Sequence, residues 1–170
     1  MTDATNPPIL FVDVDGVLSL FGFAPRAEQL PGPLYWIDGI AHFIPDDVGE
    51  RLVRLAEGFE LVWATGWEER ANEHLPHLLG LPFRELPYLT FDGRAVFGSA
   101  HWKVDAIAEY AGNRPAAWID DNIDEECIAW AEGRSAPTLI VHTDPAVGLT
   151  DEHVAELLRW AEGLPPEHLA

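Results

Sequence analysis

The sequence predicts an α/β fold, a doubly wound, Rossmann-like parallel sheet with helices on both of its faces. Short apolar runs rich in β-branched residues recur along the chain, and stretches with the period of an amphipathic helix alternate with them. Runs that are apolar at every position are typical of strands buried on both faces of a parallel sheet. Strands that alternate with helices favour such a sheet, because the connecting helices cover both sides of it.

The first strand is predicted over residues 9–14, where the chain is apolar and β-branched until the aspartates begin. Residues 19–45 follow as an excursion with many glycines, prolines and aromatic residues. They predict a flap or hairpin, with 35–44 as the best strand candidate. The first helix starts at Asp46-Asp47, which suit an N-cap, and ends at Gly58, which suits a helix C-terminus.

The rest of the chain alternates between strands and helices. Pro76 is expected to kink or shorten the second helix, because proline lacks the backbone donor that a helix interior needs. Asp92-Gly93, a strong tight-turn dipeptide, predicts a hairpin between segments 86–91 and 94–97. In order, the predicted elements are strand 59–64, helix 67–79, this hairpin, helix 103–111, strand 116–119, helix 123–131, strand 138–141 and helix 151–162.

Composition limits the class of protein. A chain of 170 residues can bury a sufficient core as one domain, so we expect residues 1–170 to form a single domain. The single cysteine excludes an intramolecular disulfide, and no signal sequence or membrane-spanning apolar run is apparent. We therefore expect a cytoplasmic protein without a membrane partner. The net charge of -19 opposes stable binding to nucleic-acid backbones.

Polar side chains follow three of the predicted strands. Asp13 and Asp15 close the first strand, Thr65 and Gly66 follow the second, and the pair Asp120-Asp121 follows another. In open α/β sheets, ligands bind outside the carboxyl ends of the strands. We therefore expect these residues to meet at one edge of the sheet.

Such a cluster of acids requires a cation. Two carboxylates about 4 Å apart repel by roughly 4 kcal/mol at an effective dielectric near 20. Lys103 starts a helix and can reach the same edge, but one lysine does not offset several such pairs. An all-oxygen set of ligands favours Mg²⁺, which tends to share its shell with a phosphate oxygen. The cluster thus predicts a phosphorylated substrate.

The order of these residues resembles the haloacid dehalogenase (HAD) superfamily, and in particular its aspartate-nucleophile phosphatases. Segments 62–68 and 144–150 are also similar to small capless members of the superfamily, including the HAD domains of bacterial RNA-repair proteins. The motifs that carry the resemblance are Asp13-Val14-Asp15-Gly16-Val17-Leu18, then Thr65, then Lys103, then Trp118-Ile119-Asp120-Asp121.

The resemblance implies a two-step hydrolysis of a phosphoester. Asp13 would attack phosphorus and form an aspartyl-phosphate, while Asp15 would protonate the leaving oxygen and then activate water. Thr65 and the Gly66 N–H would bind phosphoryl oxygens, and Lys103 would neutralise charge. The acid at position 15 favours a phosphatase over a dehalogenase, because a halide leaves without a proton.

The resemblance also implies where the Mg²⁺ ion would bind. Asp13, the backbone carbonyl of Asp15 and Asp120 would hold it, and Asp121 would be a further ligand or an outer acceptor. The acid that completes the shell is left open among three residues: Asp121, Asp124 and Glu125.

The two gaps between the motifs leave too little chain for a cap domain with its own core. We therefore expect a nearly capless enzyme with a flap over residues 19–45. Its open site would suit a bulky phosphorylated substrate, such as a nucleic-acid end, a phosphoprotein or a large metabolite.

Aromatic and histidine side chains near the site add weaker predictions. Trp36 and Trp67 are candidates for substrate binding through stacking, as is Trp102, although packing explains each of them as well. The histidines form no convincing metal set and are expected at the surface; they include His42, His74, His77 and His101.

Two other interpretations stay open. A signalling receiver domain also arranges aspartates, a threonine and a lysine around Mg²⁺, but its lysine comes last, whereas here Lys103 precedes Asp120. A catalytically silent module that binds a phosphorylated ligand or a partner would keep every one of these residues.

Overall fold

The computed structural model describes residues 6–24, 30–96 and 98–168. Its strands are β1 Ile9–Val12, β2 Leu34–Ile37, β3 Ile40–Phe43, β4 Glu60–Trp63, β5 Ala116–Asp120 and β6 Thr138–His142. Four of them form a parallel sheet in the order β4-β1-β5-β6, and β2 and β3 pair as a separate antiparallel hairpin. The predicted α/β class with a parallel sheet is confirmed.

Helices cover both faces of the parallel sheet. The described α-helices are α1 Val48–Ala56, α2 Arg70–Leu78, α3 Val104–Ala111, α4 Glu125–Gly133 and α5 Asp151–Glu162. Short 3₁₀ turns occur at His101–Lys103 and Pro166–His168. Within the described ranges, no helix has both the length and the apolar character needed to span a bilayer.

Strand β1 shows how one apolar run supplies two cores. Leu10 and Val12 belong to a core shared with α1, α2 and α5, whereas Ile9 and Phe11 belong to a core shared with α3 and α4. All four side chains are fully buried. Successive side chains of a strand point to opposite faces, so a strand covered on both sides must be apolar throughout.

The centre of the sheet is a topological switch point. β1 pairs with β4 on one side and with β5 on the other. The chain leaves β1 towards β4 and leaves β5 towards β6, so the two connections diverge. A crevice therefore opens between the carboxyl ends of β1 and β5, where such folds bind their ligands. Asp13 directly follows β1 and Asp120 ends β5.

The hairpin within the predicted flap is confirmed, but the single strand expected at 35–44 is wrong. Asp38 and Gly39 have φ angles of 52° and 80° and turn the chain between β2 and β3. A two-residue hairpin turn of type I′ requires positive φ at both positions, which an Asp-Gly pair tolerates. Residues 25–29 of the flap lie outside the described residues.

The second predicted hairpin is not formed. No strand occurs in the described residues 86–96, although Asp92 and Gly93 do make a turn, with φ angles of 51° and 74°. The backbone N–H of Leu89 donates instead to the Trp63 carbonyl, so this segment runs along the edge of β4. Phe97, at the end of the predicted hairpin, lies outside the described residues.

Helix α2 differs from its prediction at the start. Residue Glu68 has a φ of 52°, a left-handed conformation that cannot belong to an α-helix, so α2 begins at Arg70 rather than at Trp67. The helix then continues through Pro76 to Leu78, two residues beyond the proline that was expected to shorten it.

Candidate active site

A cleft of about 650 Å³ lies at the carboxyl ends of β1, β4 and β5. Most of the residues predicted from the sequence line it, and they come from four separate segments of the chain. Trp36, the remaining predicted substrate-binding residue, lies on β2 with 70% of its surface exposed, outside the lining of the cleft. The lining residues are Asp13, Asp15, Thr65, Gly66, Trp67, Lys103, Asp120 and Asp121.

Lys103 is the buried centre of the charged end of the cleft. Its Nζ donates to Asp120 Oδ2 at 2.6 Å and to the Ala64 carbonyl oxygen at 2.9 Å, and lies 3.0 Å from Asp13 Oδ1. An ammonium group has three donors, so these acceptors use all of them. The 3₁₀ turn that precedes α3 delivers the lysine to this position.

Burial and charge shift the pKa values of this group in opposite ways. Burial raises the pKa of Asp13 well above its usual value; Lys103 opposes the shift and Asp120 adds to it. Burial alone would lower the pKa of Lys103, but the charges of Asp13 and Asp120 outweigh it and raise that pKa. Lys103 therefore stays protonated. Burial destabilises the charged form of Asp13, and its raised pKa reflects this.

Asp121 completes a cluster of three acids. One carboxylate oxygen each from Asp13, Asp120 and Asp121 lies within 4.8 Å of the others, and all three residues are buried. Burial, and then the charge of Asp120, raises the pKa of Asp121 to about 6. Three carboxylates meet a single ammonium group, so the donor set fits a hard divalent cation.

Gly16 lets the loop that follows β1 approach this cluster closely. Its φ is 79°, and a Cβ added there would stand 2.3 Å from the Asp121 carboxyl carbon. Any other residue would collide with the acid and strain the backbone. The glycine after Asp15 is therefore explained by the position of Asp121.

Asp124 and Glu125, the rival acids, have other positions. Asp124 is the N-cap of α4, where its Oδ1 accepts from the Cys127 N–H at 3.0 Å. Its Oδ2 accepts from the Ser99 hydroxyl and lies 2.9 Å from His101 Nδ1. The Ser99 hydrogen bond holds the pKa of Asp124 well below its usual range. Glu125 is exposed, and within the described ranges only Asp121 groups with Asp13 and Asp120.

Asp15 differs from the buried acids, since 53% of its side chain is exposed. Its Oδ2 accepts from the indole Nε1 of Trp67 at 2.9 Å. Its Oδ1 lies 3.9 Å from Nδ1 of His42, too far for a direct hydrogen bond. Asp15 is therefore close to solvent, and among the described residues its one side-chain hydrogen bond comes from Trp67.

His42 is a cleft residue that the sequence prediction missed. It was expected at the surface, but only 6% of it is exposed. Its Nδ1 lies 2.7 Å from Ser19 Oγ, and its ring packs edge-on against Trp67 with centroids 4.9 Å apart. Burial lowers its pKa, although the charge of Asp15 opposes this. No signal for this was present in the sequence, because the position depends on the pairing of His42 with Tyr35 across the β2–β3 hairpin, where a single strand was expected.

The second motif forms a tight turn beneath the cleft. Thr65 is almost fully buried, and its Oγ1 accepts from the backbone N–H of Trp67 at 3.2 Å. Gly66 is exposed and has room above its Cα, with Trp102 the nearest side chain at 3.9 Å from a hypothetical Cβ. A small group such as a phosphoryl oxygen can thus reach the backbone there.

The other end of the cleft is apolar. Phe21, Ile40 and Val96 line it and are 49%, 62% and 53% exposed. Trp102 also lines the cleft and packs against Phe91. The cleft therefore joins a charged end, whose carboxylates fit a divalent cation, to an apolar end.

Comparison with known proteins identifies one family. The model for the HAD domain in Swiss Army Knife RNA repair proteins matches residues 9–154. The comparison with curated proteins found no match. The matched range starts at β1, includes every acid of the cluster and ends within α5. It confirms the resemblance that the order of the motifs predicted.

Proposed function

The chain belongs to the family of HAD domains found in Swiss Army Knife RNA repair proteins, and from this membership we propose that it is a Mg²⁺-dependent phosphoester hydrolase. It would work through an aspartyl-phosphate on Asp13. The observation that carries the proposal is the buried cluster in which three carboxylates face one lysine at the carboxyl end of the sheet.

The cluster would hold the metal ion. Asp13, Asp120 and Asp121 supply carboxylate oxygens, and the backbone carbonyl of Asp15 would add a fourth protein ligand. When bound, Mg²⁺ would neutralise charge on the transferring phosphoryl group and orient it. The raised pKa of Asp121, about 6, supports this role, because burial and the charge of Asp120 destabilise its carboxylate and a bound cation would offset both.

In the first step Asp13 attacks phosphorus. Lys103 lies 3.0 Å from Oδ1 of Asp13, so Oδ2 would be the attacking oxygen. The bond from Asp13 to phosphorus forms while the bond from phosphorus to the ester oxygen breaks. Asp15 gives its proton to that oxygen, and the alcohol leaves.

In the second step water cleaves the intermediate. Asp15, now a carboxylate, accepts a proton from the water that attacks phosphorus. Inorganic phosphate leaves and the Asp13 carboxylate is restored. Throughout, Thr65 and the Gly66 N–H would bind phosphoryl oxygens, and Lys103 would neutralise part of their charge.

The substrate would be bulky. The family description points to a phosphorylated RNA end as a substrate to test. The charge of -19 argues against stable binding of the rest of a strand, so we expect turnover rather than retention. Trp67 and the apolar end of the cleft would contact the leaving group. Trp36 would contact only a substrate that extends to the outer face of the hairpin.

The test is turnover of p-nitrophenyl phosphate, followed by a panel of RNA ends, mononucleotides, sugar phosphates and phosphopeptides. Asp13→Asn should lower turnover by at least about a thousandfold, because the nucleophile is lost. Asp92→Asn, at an exposed turn, is the matched control and should keep full activity. Chelation should abolish activity and added Mg²⁺ should restore it.

A direct test identifies the nucleophile. Borohydride reduction of protein quenched during turnover should convert Asp13 to homoserine, which mass spectrometry detects. Full activity of Asp13→Asn, or of the chelated protein, would refute the mechanism. A lack of turnover across the whole panel with Mg²⁺ present would favour a module that only binds phosphorylated ligands.

A further inference from the structure

We propose that Trp67 is a positioning residue for the general acid, and that its indole N–H fixes the Asp15 carboxyl group so that Oδ1 carries the transferable proton. This inference rests on the proposed function, and it deepens that function by naming the residue and the oxygen atom that direct proton transfer. The contact that carries it is the 2.9 Å hydrogen bond from Trp67 Nε1 to Asp15 Oδ2.

The bond matters because, among the residues that the structure describes, Trp67 is the one side chain that hydrogen-bonds to the Asp15 carboxyl group. The Asp15 side chain is 53% exposed, and its second oxygen has no direct hydrogen bond to His42 at 3.9 Å. A mobile carboxyl group would spend much of its time in orientations from which it cannot reach the leaving oxygen. Holding one oxygen reduces that freedom before the substrate arrives.

The chemistry of the indole group decides which oxygen carries the proton. An indole N–H is a donor only, so the oxygen that it contacts must accept. In a neutral carboxylic acid the carbonyl oxygen is the better acceptor. Trp67 therefore makes Oδ2 the carbonyl oxygen, and the hydroxyl proton resides on Oδ1, the oxygen that can donate to the leaving group.

Trp67 is itself held from two sides. Its backbone N–H donates to Thr65 Oγ1 at 3.2 Å, and its ring packs edge-on against His42 at 4.9 Å. His42 is fixed in turn by Ser19, 2.7 Å from its Nδ1. Because His42 belongs to β3, the hairpin supports the tryptophan that orients the acid.

The consequence is a dependence on the leaving group. An alkoxide leaves slowly unless it is protonated, whereas p-nitrophenolate leaves without help. In the first step, the proton on Asp15 Oδ1 moves to the ester oxygen as its bond to phosphorus breaks. Losing the orientation of Asp15 should therefore slow esters of poor leaving groups far more than esters of good ones.

The experiment measures kcat/KM for a series of aryl and alkyl phosphates with Trp67→Phe, which keeps a ring and removes the N–H. We expect about a tenfold to hundredfold loss with alkyl phosphates, part of the usual contribution of a general acid, and less than about threefold with p-nitrophenyl phosphate. The dependence of log kcat/KM on leaving-group pKa should become steeper. This ratio, rather than kcat, isolates the step in which the acid acts.

Trp160→Phe is the matched control, because Trp160 lies on α5 and stacks against Phe59, outside the lining of the cleft. Its slope should equal that of the unaltered protein. If Trp67→Phe folds poorly, 3-benzothienylalanine at position 67 replaces the N–H with sulfur in a ring of nearly the same shape. In an Asp15→Asn background, Trp67→Phe should leave the slope unchanged.

Equal losses for all leaving groups in Trp67→Phe would overturn the inference and leave the proposed hydrolase intact. The inference would also be overturned, and the proposed hydrolase left intact, if Trp67→Phe steepened the dependence of log kcat/KM on leaving-group pKa in the Asp15→Asn background. If the unaltered protein hydrolyses none of the esters, the proposed function fails and this inference fails with it.

Discussion

The two ends of the central sheet carry charged clusters of contrasting design. At the amino end, Glu60 accepts from the Tyr110 hydroxyl and from Arg114, each at 2.6 Å. Burial raises the pKa of Glu60, but these hydrogen bonds outweigh it and the pKa is lowered. One negative charge meets one positive charge, and both carboxylate oxygens have partners.

The carboxyl end has the opposite balance. Lys103 contacts Asp13 and Asp120, Asp121 adds a third carboxylate beside them, and the pKa values of Asp13 and Asp121 are raised rather than lowered. A buried charge without a partner destabilises a fold. The difference separates a cluster whose charges are balanced within the protein from one that a cation would balance. Three changes test that distinction, from the largest expected effect to the smallest.

Replacing Lys103 should destabilise the protein most. Lys103→Met leaves Asp13 and Asp120 buried without their cation, and such losses cost about 3–5 kcal/mol of unfolding free energy. Denaturant unfolding without metal near neutral pH measures this. In acid, the folded protein binds protons at acids whose pKa values are raised, whereas the unfolded chain at the same pH does not. The loss of unfolding free energy should therefore be smaller in acid.

A double variant supplies the control. Lys103→Met combined with Asp120→Asn should lose clearly less than the sum of the two single losses, because the charge left unpaired by the first change is removed by the second. Additive losses would show that the lysine stabilises the fold by packing alone, and the contrast between the two ends of the sheet would not hold.

Mg²⁺ should stabilise the protein by about 2–3 kcal/mol at concentrations near a hundred times its dissociation constant. The effect should depend on pH. Asp121 has a folded pKa of about 6 against an ordinary value of 3.8, so its proton stabilises the metal-free fold at low pH and this contribution is lost as pH rises through 6. Mg²⁺ competes with that proton, so thermal unfolding should show a larger shift at about pH 7.5 than at about pH 5.

Two variants locate the metal ligand. Asp121→Asn should remove most of the Mg²⁺-induced shift and should stabilise the metal-free protein above pH 6, where the unaltered acid is charged. Asp124→Asn should lose roughly 1 kcal/mol or less of stability at the helix cap and keep the Mg²⁺ shift. The reverse pattern would make Asp124 the ligand.

The smallest effect is expected at the amino end. Glu60→Gln removes the charge that Arg114 contacts and should cost about 1 kcal/mol, because the pair is partly exposed and solvent screens it. In a thermal unfolding experiment, Mg²⁺ should raise the melting temperature of Glu60→Gln by as much as it raises that of the unaltered protein. A changed metal response would mean that the two ends of the sheet are coupled.

Local sequence predicted the parts of the fold that a single segment can specify. The apolar run of β1 was predicted to be a buried strand, and the pair Asp46-Asp47 was predicted to start α1, where Asp47 is the N-cap residue. The hairpin was harder, because the chain contains three Asp-Gly pairs, at 15–16, 38–39 and 92–93. The second and third pairs both make turns with positive φ at each residue, but only Asp38-Gly39 joins paired strands, since Leu89 bonds to β4 instead.

By itself, the sequence determined the alternation of strands and helices, the acids that end the strands and the family to which they belong. Motif order along the chain is enough for that, because the carboxyl ends of parallel strands meet at one edge. Tertiary structure alone decided that His42 is buried beside Trp67, that Trp67 contacts Asp15, and that Asp121 rather than Asp124 joins the cluster. Each of these depends on contacts between segments distant in sequence, and local patterns of polarity carry no information about them.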